Sequence, residues 1–353
     1  MPLRAQVDGV EVNAALLSQT EWQALKGSHS IRLPCCNRGA YRRVSRLGTR
    51  HFAHSPGGHC GALGESAEHL AAKAEIVNAC HELGWDVQSE FACENWRADV
   101  YATKDGHRVV FEIQWSPQTL EDTRKRHAEY GNGAKCWWLF RKLPNPSATE
   151  RDLPMFELSL ADSGFIVVVE HTRVRLPDFV KARLERRIRF CEQRHYTVRE
   201  VQLMVLTVKC WRQRCGTAYD VFYTRQLLRS DCGVEYAETD PGETIPLPDD
   251  PYSALRNRTV VKRFFPAEAK RLRVSVKRRW SNTERQSYWS FGCPECNALY
   301  GDHFFSQMFA EAENDGRAPL CTKQLPCSEP RLEPHWCFPR NGKFCGIKSA
   351  SRT

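Results

Sequence analysis

Between residues 66 and 140 the hydrophobic period switches from helix to strand and back, and few folds accommodate that order. Residues 66–83 (SAEHLAAKAEIVNACHEL) place Leu70, Ala74, Val77 and Cys80/His81 at helical spacing, and Gly84 stops the pattern. Three strand-like runs follow: Asp86–Cys93, Arg97–Thr103 and His107–Trp115. They are separated by Glu94-Asn95 and Lys104-Asp105-Gly106, both turn-forming. Pro117 suits a first helical turn and opens a second helix that runs to Tyr130. Cys136–Phe140 is the next strand, with further strands at Met155–Leu160 and Phe165–Glu170. The order α-β-β-β-α-β with strands appended predicts a mixed α/β (α+β) fold.

Carboxylates sit where this order brings strands together. Glu112 and Gln114 share one face of the third strand, while Phe111, Ile113 and Trp115 face the core. A hairpin brings Asp99, on the second strand, beside Glu112. Two close carboxylates repel, and burying either alone is costly. A divalent cation such as Mg²⁺ relieves both problems and can activate water at a phosphodiester. A D…ExQ pattern alone is weak, and it fits polar residues on a solvated sheet face equally well. The helix upstream adds context. Glu65, His69 and Lys73 line one face at i, i+4 and i+8, and Glu68 points about 60° from Glu65. Either glutamate is a candidate third carboxylate, and Lys73 a candidate phosphate contact. The bland alternative makes the two glutamates partners of the helix dipole.

The run Cys36…His51-Phe52-Ala53-His54…Cys60…Glu65-Ser66-Ala67-Glu68-His69…Lys73…Arg97-Ala98-Asp99-Val100…Glu112-Ile113-Gln114-Trp115-Ser116…Arg126…Tyr130 resembles the competence protein CoiA-like family, within the PD-(D/E)XK nuclease superfamily. The resemblance spans about residues 31–140 and rests on several motifs in order. It implies an αβββαβ nuclease core with Asp99 and Glu112 as ligands of Mg²⁺ or Mn²⁺. It implies a helix carboxylate, Glu68 or Glu65, completing the site, and Arg126 and Tyr130 facing the cleft. It also puts Gln114 where most superfamily members carry lysine. A neutral amide cannot supply that charge, and Lys73 is the candidate substitute.

Charge is unevenly spread over the +9 chain. Residues 173–214 carry 12 basic groups against 4 acidic, and residues 262–280 carry 8 against 1, whereas residues 231–250 hold 7 acidic groups and no basic ones. Such blocks suggest a polyanion partner, most simply nucleic acid. A helix predicted at 178–195 would present Arg183, Arg186, Arg187 and Arg189, with Val180, Leu184, Ile188 and Cys191 on its apolar face. Lys277, Arg278 and Arg279 form the second block, followed by Trp280 and Trp289 as candidate base-stacking rings. A solvated helix face and a basic loop account for the charge equally well. No run approaches a membrane span, and Met1 to Asn13 has no apolar leader core. The expected location is the cytoplasm, with no membrane partner, so the 16 Cys are candidate metal ligands rather than a disulfide framework.

Cys210 and Cys215 with Cys293-Pro294-Glu295-Cys296 form two paired-thiolate knuckles preceded by strand-like runs, as in a zinc ribbon. A long insertion separates them. In the N-terminal segment Cys36, His54 and Cys60 are candidate zinc ligands, with Cys35 or His59 the fourth. Cys321, Cys327, Cys337 and Cys345, with His335, fit no single motif, and a further zinc site and plain core thiols remain open. The expected domains are an N-terminal Cys/His module (1–62), a PD-(D/E)XK nuclease-like domain (63–172), a basic helical linker (173–200), a zinc-ribbon-like domain (201–313) and a Cys-rich tail (314–353). The expected function is a divalent-metal-dependent nuclease acting on DNA in uptake, processing or recombination. The alternative is a non-catalytic zinc-ribbon nucleic-acid-binding protein with a degenerate nuclease core.

Overall fold

The computed structural model describes residues 2–27, 30–55, 65–93, 96–146, 150–238, 254–316, 318–339 and 342–345. The chain divides into two units, Met1–Gln193 with Leu332–Thr353, and Arg194–Arg331.

The first unit opens with β1 (Arg4–Val7), β2 (Val10–Asn13), α1 (Gln19–Ala24), β3 (Ile31–Arg32), β4 (Ala40–Val44) and β5 (Arg50–His54). Strands β2-β1-β3 form one small sheet and β4-β5 a hairpin, closed around Trp22, Leu33 and Phe52. Ser18 and Glu21 cap α1 reciprocally, satisfying two otherwise orphaned N–H groups.

Next come α2 (Ala67–Glu82), β6 (Asp86–Ala92), β7 (Arg97–Lys104), β8 (His107–Gln114), α3 (Leu120–Tyr130), β9 (Lys135–Phe140), β10 (Met155–Ala161), β11 (Gly164–Val169), β12 (Thr172–Arg175) and α4 (Leu176–Leu184). The strands form one seven-stranded mixed sheet in the order β12-β11-β10-β9-β8-β7-β6. Pairs β8/β9 and β9/β10 are parallel, and the other pairs are antiparallel. Alternation along β8 divides the unit. Val109, Phe111 and Ile113 join the core under α2 and α4, whereas Val110 packs on the other face with Trp138 and Tyr130 of α3.

Two predicted helices are corrected. The second helix starts at Leu120 rather than Pro117, because the Thr119 side chain accepts from Asp122 N and supplies the cap. The basic helix ends at Leu184, where Arg186 adopts φ +60°, and Arg189 already begins a strand. The apolar residues read as a helical face to Cys191 belong partly to that strand.

The long strand β13 (Arg189–Lys209) leads into the second unit, which contains β14 (Ala218–Ser230), β15 (Glu235–Glu238), α5 (Ala254–Phe264), α6 (Pro266–Arg271), β16 (Ser275–Ser281), β17 (Gln286–Gly292), β18 (Leu299–Tyr300), α7 (Asp302–Asn314) and most of β19 (Cys321–Cys337). Its sheets are β15-β14-β13-β19 and β16-β17-β18, around a core that includes Leu203, Val221, Phe222, Phe291, Phe305 and Phe309. The Cys-rich tail expected from residue 314 contains β19. Pro326, Pro330 and Pro334 hid that strand. Spaced four apart, they put every missing N–H on the same side, and β19 is an edge strand that can leave that side unpaired. Residues 239–253, which hold most of the acidic run, lie outside the described residues. Among the described residues no helix is long and apolar enough to cross a membrane.

Candidate functional site

A two-residue turn sets the site. Asp105 and Gly106 take φ +49° and +77°, the left-handed pair that joins strands with a matching twist. Lys104 therefore faces His107, and five steps along the ladder Asp99 faces Glu112. Regular pairing stops one step earlier, at Val100 and Phe111. There each carboxylate takes a backbone N–H from the opposing strand: Asp99 N donates to Glu112 Oε1 (3.3 Å) and Ile113 N to Asp99 Oδ2 (2.9 Å). The strands thus fork around two acids.

Asp99 also faces the helix. Ser66 caps α2 by accepting from His69 N (3.1 Å), which fixes the rotation of the first turn. His69 Nε2 then lies 3.1 Å from Asp99 Oδ1. Carboxylate and imidazole atoms of Glu65, His69 and Asp99 all fall within 4.8 Å of one another, close enough to share one cation. Lys73, fully buried, donates to Glu65 Oε1 (2.6 Å) and Glu90 Oε1 (2.5 Å). Burial lowers its pKa, but the charges of Glu90 and Glu65 outweigh burial and hold it above the ordinary value.

Sequence reasoning missed Glu90. It sits across from Asp99 on β6 at φ +47°, where the β6/β7 ladder skips from Ser89/Val100 to Phe91/Ala98. Its signal was present: a carboxylate in a predicted strand, in register with Asp99. The offset is the same on both sides, so no residue is inserted, and the left-handed φ at Glu90 interrupts the pairing there.

Glu112 is enclosed. Tyr130 Oη donates to its Oε1 and Arg126 Nη2 to its Oε2 (2.8 Å). Burial, then the neighbouring Asp99 charge, raise its pKa, and Arg126 and Tyr130 only partly reverse this. Asp99 goes the other way. Burial pushes it up, but the His69 hydrogen bond and charge, with Lys73, pull it below the ordinary range. Of the two acids, Glu112 is the one that holds a proton more readily. Both line a cleft of about 630 Å³ with Glu65, Glu90, Arg97 and Arg126. Its far wall comes from the N-terminal module, including Arg4, Cys35 and His54.

The remaining predicted residues divide. Glu68 pairs with Arg46, and Gln114 Nε2 donates to Ser116 O (3.0 Å) at the end of its own strand. Arg183 stacks over Trp137 at 4.1 Å, and burial lowers its pKa to about 10. Arg186 lies 3.3 Å from His107 Nε2, and Arg187 pairs with Glu185. Lys277 and Arg278 are exposed, whereas Arg279 turns inward and donates to Ser290 O (2.7 Å) and Ser275 Oγ (2.8 Å).

In the second unit the four knuckle cysteines converge. Cys210 Sγ lies 3.5 Å from Cys296 Sγ and Cys215 Sγ 3.6 Å from Cys293 Sγ. A zinc tetrahedron with bonds of about 2.3 Å has edges of about 3.8 Å, so these residues fit that ion. Each knuckle closes on a residue with left-handed φ, Gly216 (+58°) or Asn297 (+59°). Gly292 enters the second knuckle so tightly that a Cβ would sit 2.5 Å from Ala298 O and 2.6 Å from Arg279 Cζ. In the N-terminal module Cys35, Cys36 and His54 gather within 4.8 Å, with Cys36 Sγ 3.4 Å from His54 Nε2. The adjacent cysteines thus both reach one point. Cys60 and His59 lie outside the described residues.

Residues 65–202 match the family model described as competence protein CoiA, nuclease-like domain. Over this segment the chain is similar to the CoiA nuclease-like family. The CoiA-like segment contains Glu65, His69, Lys73, Glu90, Asp99, Glu112, Arg126 and Tyr130, and so the whole carboxylate fork. It contains neither the Cys35/Cys36/His54 group nor the four knuckle cysteines. No curated protein matches the chain significantly.

Proposed function

We propose that this protein is a divalent-metal-dependent nuclease that hydrolyses phosphodiester bonds in DNA. The observation that carries the reading is the convergence of Glu65 and the fork of Asp99 and Glu112 on one cleft, with His69 within ligand distance of Glu65 and Asp99. The element order α2-β6-β7-β8-α3-β9 agrees with the αβββαβ order that the resemblance implies, and the CoiA-like match favours a role in DNA uptake, processing or recombination. We place the activity in the cytoplasm, where thiol ligands stay reduced.

Asp99 and Glu65 are the carboxylates we assign to Mg²⁺ or Mn²⁺, with Glu112 behind Asp99 and His69 as a further donor. The nitrogen donor favours Mn²⁺ more than an all-oxygen site would. When bound, the cation supplies Lewis-acid polarisation of the phosphodiester and of the attacking water. The chain's own residues do the rest. Lys73 holds Glu65 and Glu90 in place. Arg126, which faces the cleft while bonded to Glu112, is the cation placed to meet a phosphate, a task assigned from the sequence to Lys73. Tyr130 Oη orients Glu112 through Oε1.

The four knuckle cysteines hold a structural zinc in this reading. Register puts Arg278, Trp280 and Trp289 on one face of the β16/β17 hairpin. Both tryptophans are exposed, at 60% and 37%, as a stacking surface for unpaired bases requires. Labelled single- and double-stranded DNA and RNA, incubated with Mg²⁺, Mn²⁺ or EDTA, test the proposal. Metal-dependent cleavage of DNA supports it. Tight binding with no cleavage under any metal favours the non-catalytic alternative, which the neutral Gln114, bonded to Ser116 O, also suits.

A further inference from the structure

Strand β19 ends in His335-Trp336-Cys337, and alternation sends these side chains to opposite faces. Trp336 enters the core of the first unit, with its ring 4.9 Å from Trp137, 5.3 Å from Phe190 and 5.8 Å from Phe156. His335 and Cys337 point the other way and meet Cys345. Cys345 N donates to Cys337 Sγ at 3.5 Å. Phe344, its neighbour, lies under the Arg189 guanidinium at 4.3 Å. Ligand atoms of His335, Cys337 and Cys345 all fall within 4.8 Å of one another, at 0%, 0% and 1% exposure. Neither thiol is in a disulfide.

The histidine is already oriented. His335 Nδ1 lies 2.8 Å from Glu333 O, and a carbonyl only accepts, so Nδ1 carries the proton and Nε2 the lone pair. Metal-ligating histidines are commonly set this way, by a backbone carbonyl on the other ring nitrogen. Two thiolates and an imidazole form a soft donor set that selects zinc over Mg²⁺ or Mn²⁺.

We propose that His335, Cys337 and Cys345 bind a structural zinc ion. It is distinct from the knuckle zinc of the second unit and lies outside the matched segment. The ion ties Cys345 to the end of β19 and anchors Trp336 in the core of the first unit, so its binding energy adds to that unit's stability.

The test uses the full chain purified without chelator. The variant Cys337→Ser/Cys345→Ser should lose one zinc equivalent relative to wild type by elemental analysis, while Cys293→Ser/Cys296→Ser loses a different one. Wild-type crystals should show a zinc-edge anomalous peak about 2.3 Å from both sulfurs and about 2.1 Å from His335 Nε2. An unchanged zinc content in the folded Cys337→Ser/Cys345→Ser protein overturns the proposal. So does a Cys337–Cys345 disulfide in wild type. If that variant does not fold, the wild-type anomalous map decides, and no peak at these sulfurs overturns the proposal.

Discussion

Lys73→Met keeps the apolar stem of a fully buried side chain and deletes only its charge. The structure sets the cost. Nζ lies 2.6 Å from Glu65 Oε1 and 2.5 Å from Glu90 Oε1, and no water-facing route is open to a side chain at 0% exposure. Removing one partner of a buried ion pair costs about 3–5 kcal/mol. The orphaned carboxylates here are 20% and 26% exposed, so water recovers part of the loss, and about 3 kcal/mol is expected. In a domain of this size each kcal/mol moves Tm by about 2–4 °C, so the variant should melt about 6–12 °C below wild type. Tryptophan fluorescence or circular dichroism in EDTA reads this. Adding Mn²⁺ should raise the variant's Tm more than wild type's, because a cation on Glu65 replaces part of the missing charge. A Tm within about 2 °C of wild type would refute the assignment of Lys73 as the counterion of the cleft.

Glu75 gives a pH prediction. Burial pushes its carboxyl up to about 7 from 4.5, with Arg175 opposing. The folded state therefore binds a proton that the unfolded chain releases, and stability falls as pH rises from about 4.5 to about 7. Glu75→Gln should stabilise by about 1–2 kcal/mol at pH 8, after allowance for partial exposure, and change little at pH 4; equal urea midpoints at pH 8 would contradict this. Cys293→Ser should release the knuckle zinc and unfold the second unit, read by zinc content and limited proteolysis; a folded, zinc-replete variant would count against the ribbon. Trp280→Ala should weaken single-stranded DNA binding roughly 5–150-fold, since stacking contributes about 1–3 kcal/mol per base. Unchanged anisotropy titrations would remove that hairpin from the interface.

Much of the site was legible because short-range chemistry determines it. Asp105-Gly106 fixes one register, and that register alone sets Asp99 against Glu112. Helical spacing put Glu65, His69 and Lys73 on one face, as observed. What could not be read depended on distant partners. Glu68 and Glu65 look equivalent in sequence, yet Arg46, 22 residues away, draws Glu68 aside. Arg278 and Arg279 are adjacent, and only strand alternation with a close-packed Gly292 makes the second a buried strut. β19 was hidden because prolines signal loops unless the strand's edge position is known. The convergence of His335, Cys337 and Cys345 required the chain to return to the first unit, which no local pattern announces.

The most direct measurement is single-turnover cleavage of labelled DNA by wild type beside Asp99→Asn, with Mn²⁺ binding measured on the same preparations. Asn keeps the size of Asp99 and removes its charge. The account predicts metal-dependent cleavage by wild type, and in the variant a loss of both cleavage and Mn²⁺ affinity with the fold intact. Cleavage that persists in folded Asp99→Asn at the wild-type rate would contradict it.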